Sequence, residues 1–320
     1  MNPITPEQLG QDISGFLALK RALGHPYARG EWTLRSFERF VHQQARSRSP
    51  VEMEAMVTGW LSRTTGRKPV TVAVDIGVIR QLCLYRRRSD PHAFVPGREW
   101  APQPTTSSFL PYVFSREEVR QLIDAADVYR PRNLGATTLR ALLLILYCTG
   151  LRLGEAVRLQ VRDVDLEQGL LIVRESKGKT RLVPFGADLG QVLSAYLAER
   201  PGIARAAGED ALLLRMSGDR LPVAVASGAI RRLLRKLGLK PPRGRAGPRP
   251  YDMRHTFAVH RLTDWYHQGL DIHTRLPWLS AYMGHDDILG TEVYLTATPE
   301  LMAMASQRFE ARFRHPGRRP

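Results

Sequence analysis

The sequence predicts a mainly α-helical protein with one small β-hairpin, built as a small N-terminal helical domain and a larger α+β domain. Three observations lead there. Apolar residues recur at helical spacing through most of the 320 residues. Strand-like alternation appears at Leu170–Glu175 and Arg181–Phe185, around Ser176-Lys177-Gly178-Lys179-Thr180, which reads as a hairpin with two lysines at its tip. A proline-rich stretch from Asp90 to Pro111, DPHAFVPGREWAPQPTTSSFLP, separates two helical regions. The expected bounds are 1–95 for an N-terminal four-helix domain, 96–112 for a linker and 113–320 for the larger domain, which is long enough for a sizeable core.

In the first domain Thr5-Pro6-Glu7-Gln8 is a helix start: Thr as N-cap, Pro at the first position and Gln three residues on. Leu9, Ile13, Phe16 and Leu17 follow at helical spacing. Further helical patterns run through Thr33–Gln44, Pro50–Ser62 and Val70–Arg87. Arg86-Arg87-Arg88 closes the fourth helix, either complementing its dipole or contacting phosphate. Arg46, Arg48, Arg63, Arg67 and Lys68 add basic charge around the loops. Two domains on such a linker can close around an elongated ligand.

In the second domain Ser115-Arg116-Glu117-Glu118 is a capping box that starts a helix cleanly. In Ala141–Gln160 a buried helix ends at Thr149-Gly150 and a second begins near Leu151–Leu153. That puts Arg152 at a helix start, beside N–H groups that favour an anion, with Glu155 placed to pair with it. Helical patterns follow the hairpin at Ala187–Arg200 and Val225–Leu237, and then a basic connection, KPPRGRAGPRP. Tyr251 and Arg254 lie one turn apart on a common helical face. Leu276–Met283 is an apolar helix that Gly284 stops, next to His285. Nine residues on, Tyr294 follows the short polar segment Asp286–Val293, which is expected to present its phenol at the surface.

Composition narrows the partner. Lys plus Arg total 47 and Asp plus Glu 31, a formal charge of +16 that is expected of a polyanion binder. Residues 1–100 hold 15 basic and 9 acidic residues, so that part is +6 and the remainder +10. The longest apolar run, Ala141–Tyr147, is too short to span a bilayer, and MNPITPEQLG lacks the features of a signal peptide. Cys83 and Cys148 sit in apolar helical contexts and read as buried thiols of a reducing cytoplasm. No Cys/His spacing suggests a zinc site.

An Arg, a His and a Tyr together suit attack on a phosphodiester. The guanidinium binds phosphate oxygens bidentately, the imidazole donates or handles a proton near pH 7, and the phenol can form a covalent intermediate. Taken singly, Arg254, His285 and Tyr294 each have an ordinary structural explanation. Together, Arg152 in TGLRLGE, Arg254 in YDMRHTF, Gly284-His285 and Tyr294 resemble the tyrosine recombinase (phage integrase) superfamily, as do the lysine hairpin and the helical domain with its linker. The ending TEVYLTATPELM resembles integrases of plasmids and transposons.

The resemblance implies a site-specific recombinase that cuts and rejoins strands of double-stranded DNA through a 3′-phosphotyrosine, with no metal and no cofactor. It implies that Tyr294 attacks, that Arg152, Arg254 and His285 bind the non-bridging oxygens, and that Lys177 protonates the leaving 5′ oxygen, with Lys179 as alternative. Arg86, Arg87, Arg88, Lys179 and Arg181 are the candidate DNA contacts. Many members carry His where this chain has Tyr251. A phenol donates a hydrogen bond at pH 7, but half-ionising it there costs roughly 4 kcal/mol. Tyr251 is therefore expected to orient phosphate or Arg254, leaving the base for Tyr294 to come from elsewhere. His255, adjacent to Arg254 and pointing about 100° away, is expected to make a supporting hydrogen bond within the domain rather than to act in catalysis. The apolar stripe Leu301, Met302, Met304, Ala305 and Phe309 is expected to form a C-terminal helix, packed on its own domain or, as the resemblance implies, docked on a neighbouring protomer of a tetramer holding two duplexes. The alternatives are a non-cleaving DNA binder of the same fold and a strand-relaxing topoisomerase. The cytoplasm, at the nucleoid, is the expected location.

Overall fold

The structure is a computed structural model that describes residues 3–45, 49–63, 66–102, 111–129, 134–176, 179–203, 210–292, 294–295, 303, 306 and 310, the side chains of residues 175 and 176 excepted. The chain divides into two compact units, Met1–Phe109 and Leu110–Pro320.

Four α-helices form the first unit: α1 (Pro6–Ala22), α2 (Ala28–Gln44), α3 (Met53–Ser62) and α4 (Pro69–Arg86). The capping box at Thr5 forms as expected, with Gln8 N donating to Thr5 Oγ1 at 3.2 Å and Thr5 N donating to Gln8 Oε1 at 3.0 Å. Leu9, Ile13, Phe16, Leu34, Phe37, Val41, Val57, Trp60, Ile79 and Leu82 make the core. Helix α2 starts five residues before the expected Thr33, because Thr33 is a buried polar position inside it and carries no apolar signal. Its hydroxyl donates to Asp75 at 3.1 Å. Arg67 pairs with the same carboxylate, so it serves this unit's interior and not only its basic surface. Phe94, Val95 and Trp100 pack on this core, and Arg80 donates to the Pro96 carbonyl.

Near the start of the second unit Phe114 is fully buried, and its N–H donates to Thr256 Oγ1 at 3.0 Å. Ser115 caps α5 (Arg116–Val128) through the expected box. Helix α6 (Ala136–Thr149) is buried nearly all round and stops at Gly150, which takes φ +61°. There follow α7 (Leu153–Ala156), a three-stranded antiparallel sheet in the order β1 (Val164–Asp165), β2 (Leu170–Ser176), β3 (Lys179–Pro184), and helices α8 (Ala187–Glu199) and α9 (Val223–Lys236). The sequence predicts only two of these strands; β1 is two residues long and has no alternation to read. In the hairpin Leu171 faces Val183 and Val173 faces Arg181, and the register shifts between Val173 and Ser176. The chain continues through α10 (Asp252–His267), α11 (Ile272–Met283) and α12 (Leu289–Glu292). One apolar cluster gathers α5, α6, α8 and α9; a second joins Phe257, Leu262, Leu276, Met283 and Tyr294. Among the described residues no helix is long and apolar enough to cross a membrane.

Candidate active site

The site is assembled from three chain reversals. At the first, the left-handed Gly150 turns the chain so that Arg152 becomes the N-cap of α7. That helix is a single turn, so it lacks the dipole expected to hold an anion beside Arg152. Glu155 organises the residue instead: its carboxylate, 1% exposed, accepts from Arg152 N at 2.9 Å and from Arg152 Nη1 at 2.8 Å. At the second, the hairpin, β3 lays Arg181 against the same carboxylate, with Nη2 2.9 Å from Oε2 and Nε donating to the Tyr282 carbonyl at 3.0 Å. Arg181, expected among the DNA contacts, is 13% exposed and acts as a second guanidinium on Glu155. Strand alternation gives no hint of this, since Glu155 lies 26 residues away.

The third reversal is the end of α11, where Gly284 takes φ +68° and leaves the carbonyls of residues 283 and 284 turned inward. Arg254, on the first turn of α10 and 1% exposed, donates from Nη2 to Met283 O at 2.6 Å and from Nη1 to Gly150 O at 2.7 Å. Arg152 Nη2 donates to the neighbouring carbonyl of Gly284 at 3.2 Å. Two guanidiniums separated by about a hundred residues of chain thus meet at adjacent carbonyls. The Arg254 Nε is buried and meets no acceptor in hydrogen-bond geometry. Burial, and then the charge of Arg152, push the Arg254 pKa below the ordinary arginine value. Two guanidiniums bond to the one carboxylate and a third, Arg254, feels its charge, an excess of positive charge that a bound anion would offset.

Beside this cluster, His285 Nδ1 is 2.6 Å from the hydroxyl of Thr291, a fully buried residue of α12. The ring of Tyr294 stacks 6.3 Å from that of His285. Tyr294, expected at the surface, is 2% exposed, because the apolar side of α10 and α11 packs around it. Its hydroxyl lies 3.1 Å from His255 Nδ1. Burial pushes the phenol pKa up to about 12, against the lowering effect of nearby Arg254. The hydrogen bond expected of His255 is therefore made to Tyr294 itself. Tyr251, 42% exposed just before α10, sets its ring edge-on to His255 at 4.9 Å.

Other expected residues stand apart. Lys177 and the C-terminal apolar stripe lie outside the described residues. Lys179 is exposed, 3.5 Å from Asp286. Arg86, expected at phosphate or at the helix dipole, is 8% exposed and bound to Asp12 at 2.7 Å, while Arg87 donates to the Ala93 carbonyl at 3.0 Å. Arg88 is exposed.

A family model described as the phage integrase family matches residues 113–300, more than half of the chain. An integrase/recombinase of Sinorhizobium fredii, y4rB, is 33% identical over 310 residues, 95% of this chain and 97% of that one. The tyrosine recombinase XerD of Mycobacterium tuberculosis is 34% identical over 199 residues, 61% of this chain and 60% of its own. Among solved structures, the Tn1549 transposon integrase in complex with circular intermediate DNA matches with a TM-score of 0.67 at 18% identity, over 96% of this chain and 100% of that one. With the two-unit helical fold and the paired guanidiniums already in place, these likenesses settle the matter: the chain belongs to the phage integrase family, the tyrosine recombinases.

Proposed function

We propose that this tyrosine recombinase cleaves and rejoins double-stranded DNA at a specific site, with Tyr294 as the nucleophile. Tyr294 attacks the scissile phosphorus, its oxygen forms a bond to phosphorus, and the bond to the 5′ oxygen breaks. Arg152, Arg254 and His285 stabilise the charge that grows on the non-bridging oxygens. Lys177 of the hairpin tip, or Lys179, protonates the leaving oxygen. Arg181 and Glu155 hold Arg152 in place, and the exposed basic residues, Arg88 and Lys179 among them, contact the backbone. Four copies act on two duplexes in the cytoplasm, joined through the C-terminal segment. The observation that carries this assignment is the meeting of Arg152 and Arg254 at the carbonyls of Met283 and Gly284, next to His285, whose ring stacks on that of Tyr294. A protein that only binds DNA needs neither a buried guanidinium beside a second one nor a phenol close by.

The test is covalent trapping. Sheared genomic DNA of the source organism, sparsely nicked, is incubated with the protein and denatured in detergent. An adduct whose peptide maps to Tyr294 and whose DNA shares one junction sequence is the expected result. Tyr294→Phe should remove the adduct and leave the affinity for the recovered duplex within about twofold. No adduct with the wild-type protein, or one that survives Tyr294→Phe, counts against the assignment. Relaxation of supercoiled plasmid without strand exchange between two recovered sites would favour a topoisomerase.

A further inference from the structure

We propose that His255 receives the phenolic proton of Tyr294 during strand cleavage and returns it during rejoining, a role that rests on the assignment of Tyr294 as nucleophile. The geometry is that of a nucleophile and a base, with a carboxylate that Arg249 holds farther off. His255 Nδ1 lies 3.1 Å from the Tyr294 hydroxyl, within the reach required of a general base. On the other side of the ring, Nε2 lies 4.0 Å from Asp252 Oδ1. With the ring proton on Nε2, Nδ1 is the acceptor, and the carboxylate of Asp252 favours the imidazolium that forms. The ring has little freedom: it is held edge-on by Tyr251 at 4.9 Å and packs on Tyr294 at 5.4 Å.

The proton must go somewhere. A phenol with a pKa raised to about 12 is ionised in roughly one molecule per 10⁵ at pH 7. The step then balances as follows. The Tyr294 O–H bond breaks, its proton goes to His255 Nδ1, the oxygen–phosphorus bond forms, and the phosphorus–5′ oxygen bond breaks as that oxygen takes a proton from the acid. Rejoining reverses each change, with no redox partner. The groups facing His255 are Asp252, Arg249, Arg254, Tyr251 and Tyr294. Burial and the two arginines outweigh Asp252 and hold the histidine pKa below its usual value. The ring is then neutral, and able to accept, at physiological pH.

The test uses the full-length protein and the nicked duplex recovered by trapping, in single-turnover cleavage from pH 5 to 9. Wild-type rates should rise with pH only up to the histidine's pKa and stay flat above it. His255→Asn keeps an acceptor near the Nδ1 position without the basicity. It should bind the duplex with unchanged affinity and cleave roughly 10²–10⁴-fold more slowly at pH 7.5. Its rate should climb about tenfold per pH unit, as hydroxide takes over the deprotonation. The proposal is overturned by a wild-type rate that itself climbs tenfold per unit from pH 6 to 9, which needs no variant to observe. It is also overturned if His255→Asn cleaves within tenfold of wild type, faster than it, or slower with the wild-type pH profile. A wild-type protein that forms no adduct at all sinks the nucleophile assignment together with this one, a result distinct from those.

Discussion

Glu155 is one carboxylate doing the work of three contacts. It accepts from the backbone N–H and the guanidinium of Arg152 and from the guanidinium of Arg181, while Arg254 lies near enough for its charge to be felt. Replacing it by Gln keeps the shape but sets an amide NH₂ against a guanidinium, two donors facing each other. Loss of a buried ion-pair partner costs about 3–5 kcal/mol, and partial solvation of both arginines, 24% and 13% exposed, brings this to roughly 2–3. For Glu155→Gln the expected outcome is a fall of several degrees in the thermal melt of the second unit. A loss of at least tenfold in cleavage rate at saturating DNA should accompany it, because Arg152 loses its fixed orientation. A variant of normal stability and normal rate would show that Arg152 is held by the Gly284 carbonyl alone.

At the scale of elements, the ends of helices carry the site more than their middles do. Gly284 at the end of α11 has φ +68°, and a Cβ there would sit 2.8 Å from Arg181 Nη1. Gly284→Ala therefore combines left-handed strain of about 1–2 kcal/mol with displacement of Arg181 from Glu155. A melt lowered by that amount, and cleavage slowed with duplex affinity unchanged, are the expected results; a purely stability effect would mean Arg181 yields without disturbing Arg152. Such caps were legible in the sequence, as were the boxes at Thr5 and Ser115 and the β2–β3 hairpin, because each is written in residues a few positions apart. What was not legible is non-local. The Arg181–Glu155 pair spans 26 residues and His255–Tyr294 39, and neither leaves a periodic trace. The burial of Tyr294 is not legible for the same reason: Asp286–Val293 looks polar, while the apolar residues that bury the phenol, Phe257, Leu262, Leu276 and Met283, lie in α10 and α11.

For the whole molecule, the count of cations overstates how many are free to meet DNA, although the +16 excess stays nearly whole. Of the 47 lysines and arginines, several are paired within the chain: Arg67 to Asp75, Arg86 to Asp12, Arg152 and Arg181 to Glu155, and Arg249 to Asp252. The remainder act at the surface, where salt screens them over a length of about 10 Å at 0.1 M. Binding and chemistry should therefore respond differently to salt. If the protein neutralises about six to ten phosphates, its duplex affinity falls roughly 10³–10⁵-fold between 50 and 200 mM salt. The guanidinium of Arg254 is 1% exposed and bonded to two carbonyls, so the single-turnover cleavage rate at saturating duplex should change less than about threefold over that range. Titrating salt in both assays separates the two. A cleavage rate that fell with salt as steeply as the affinity would mean that the catalytic charge is supplied by exposed side chains, and the buried cluster would then be a feature of folding rather than of catalysis.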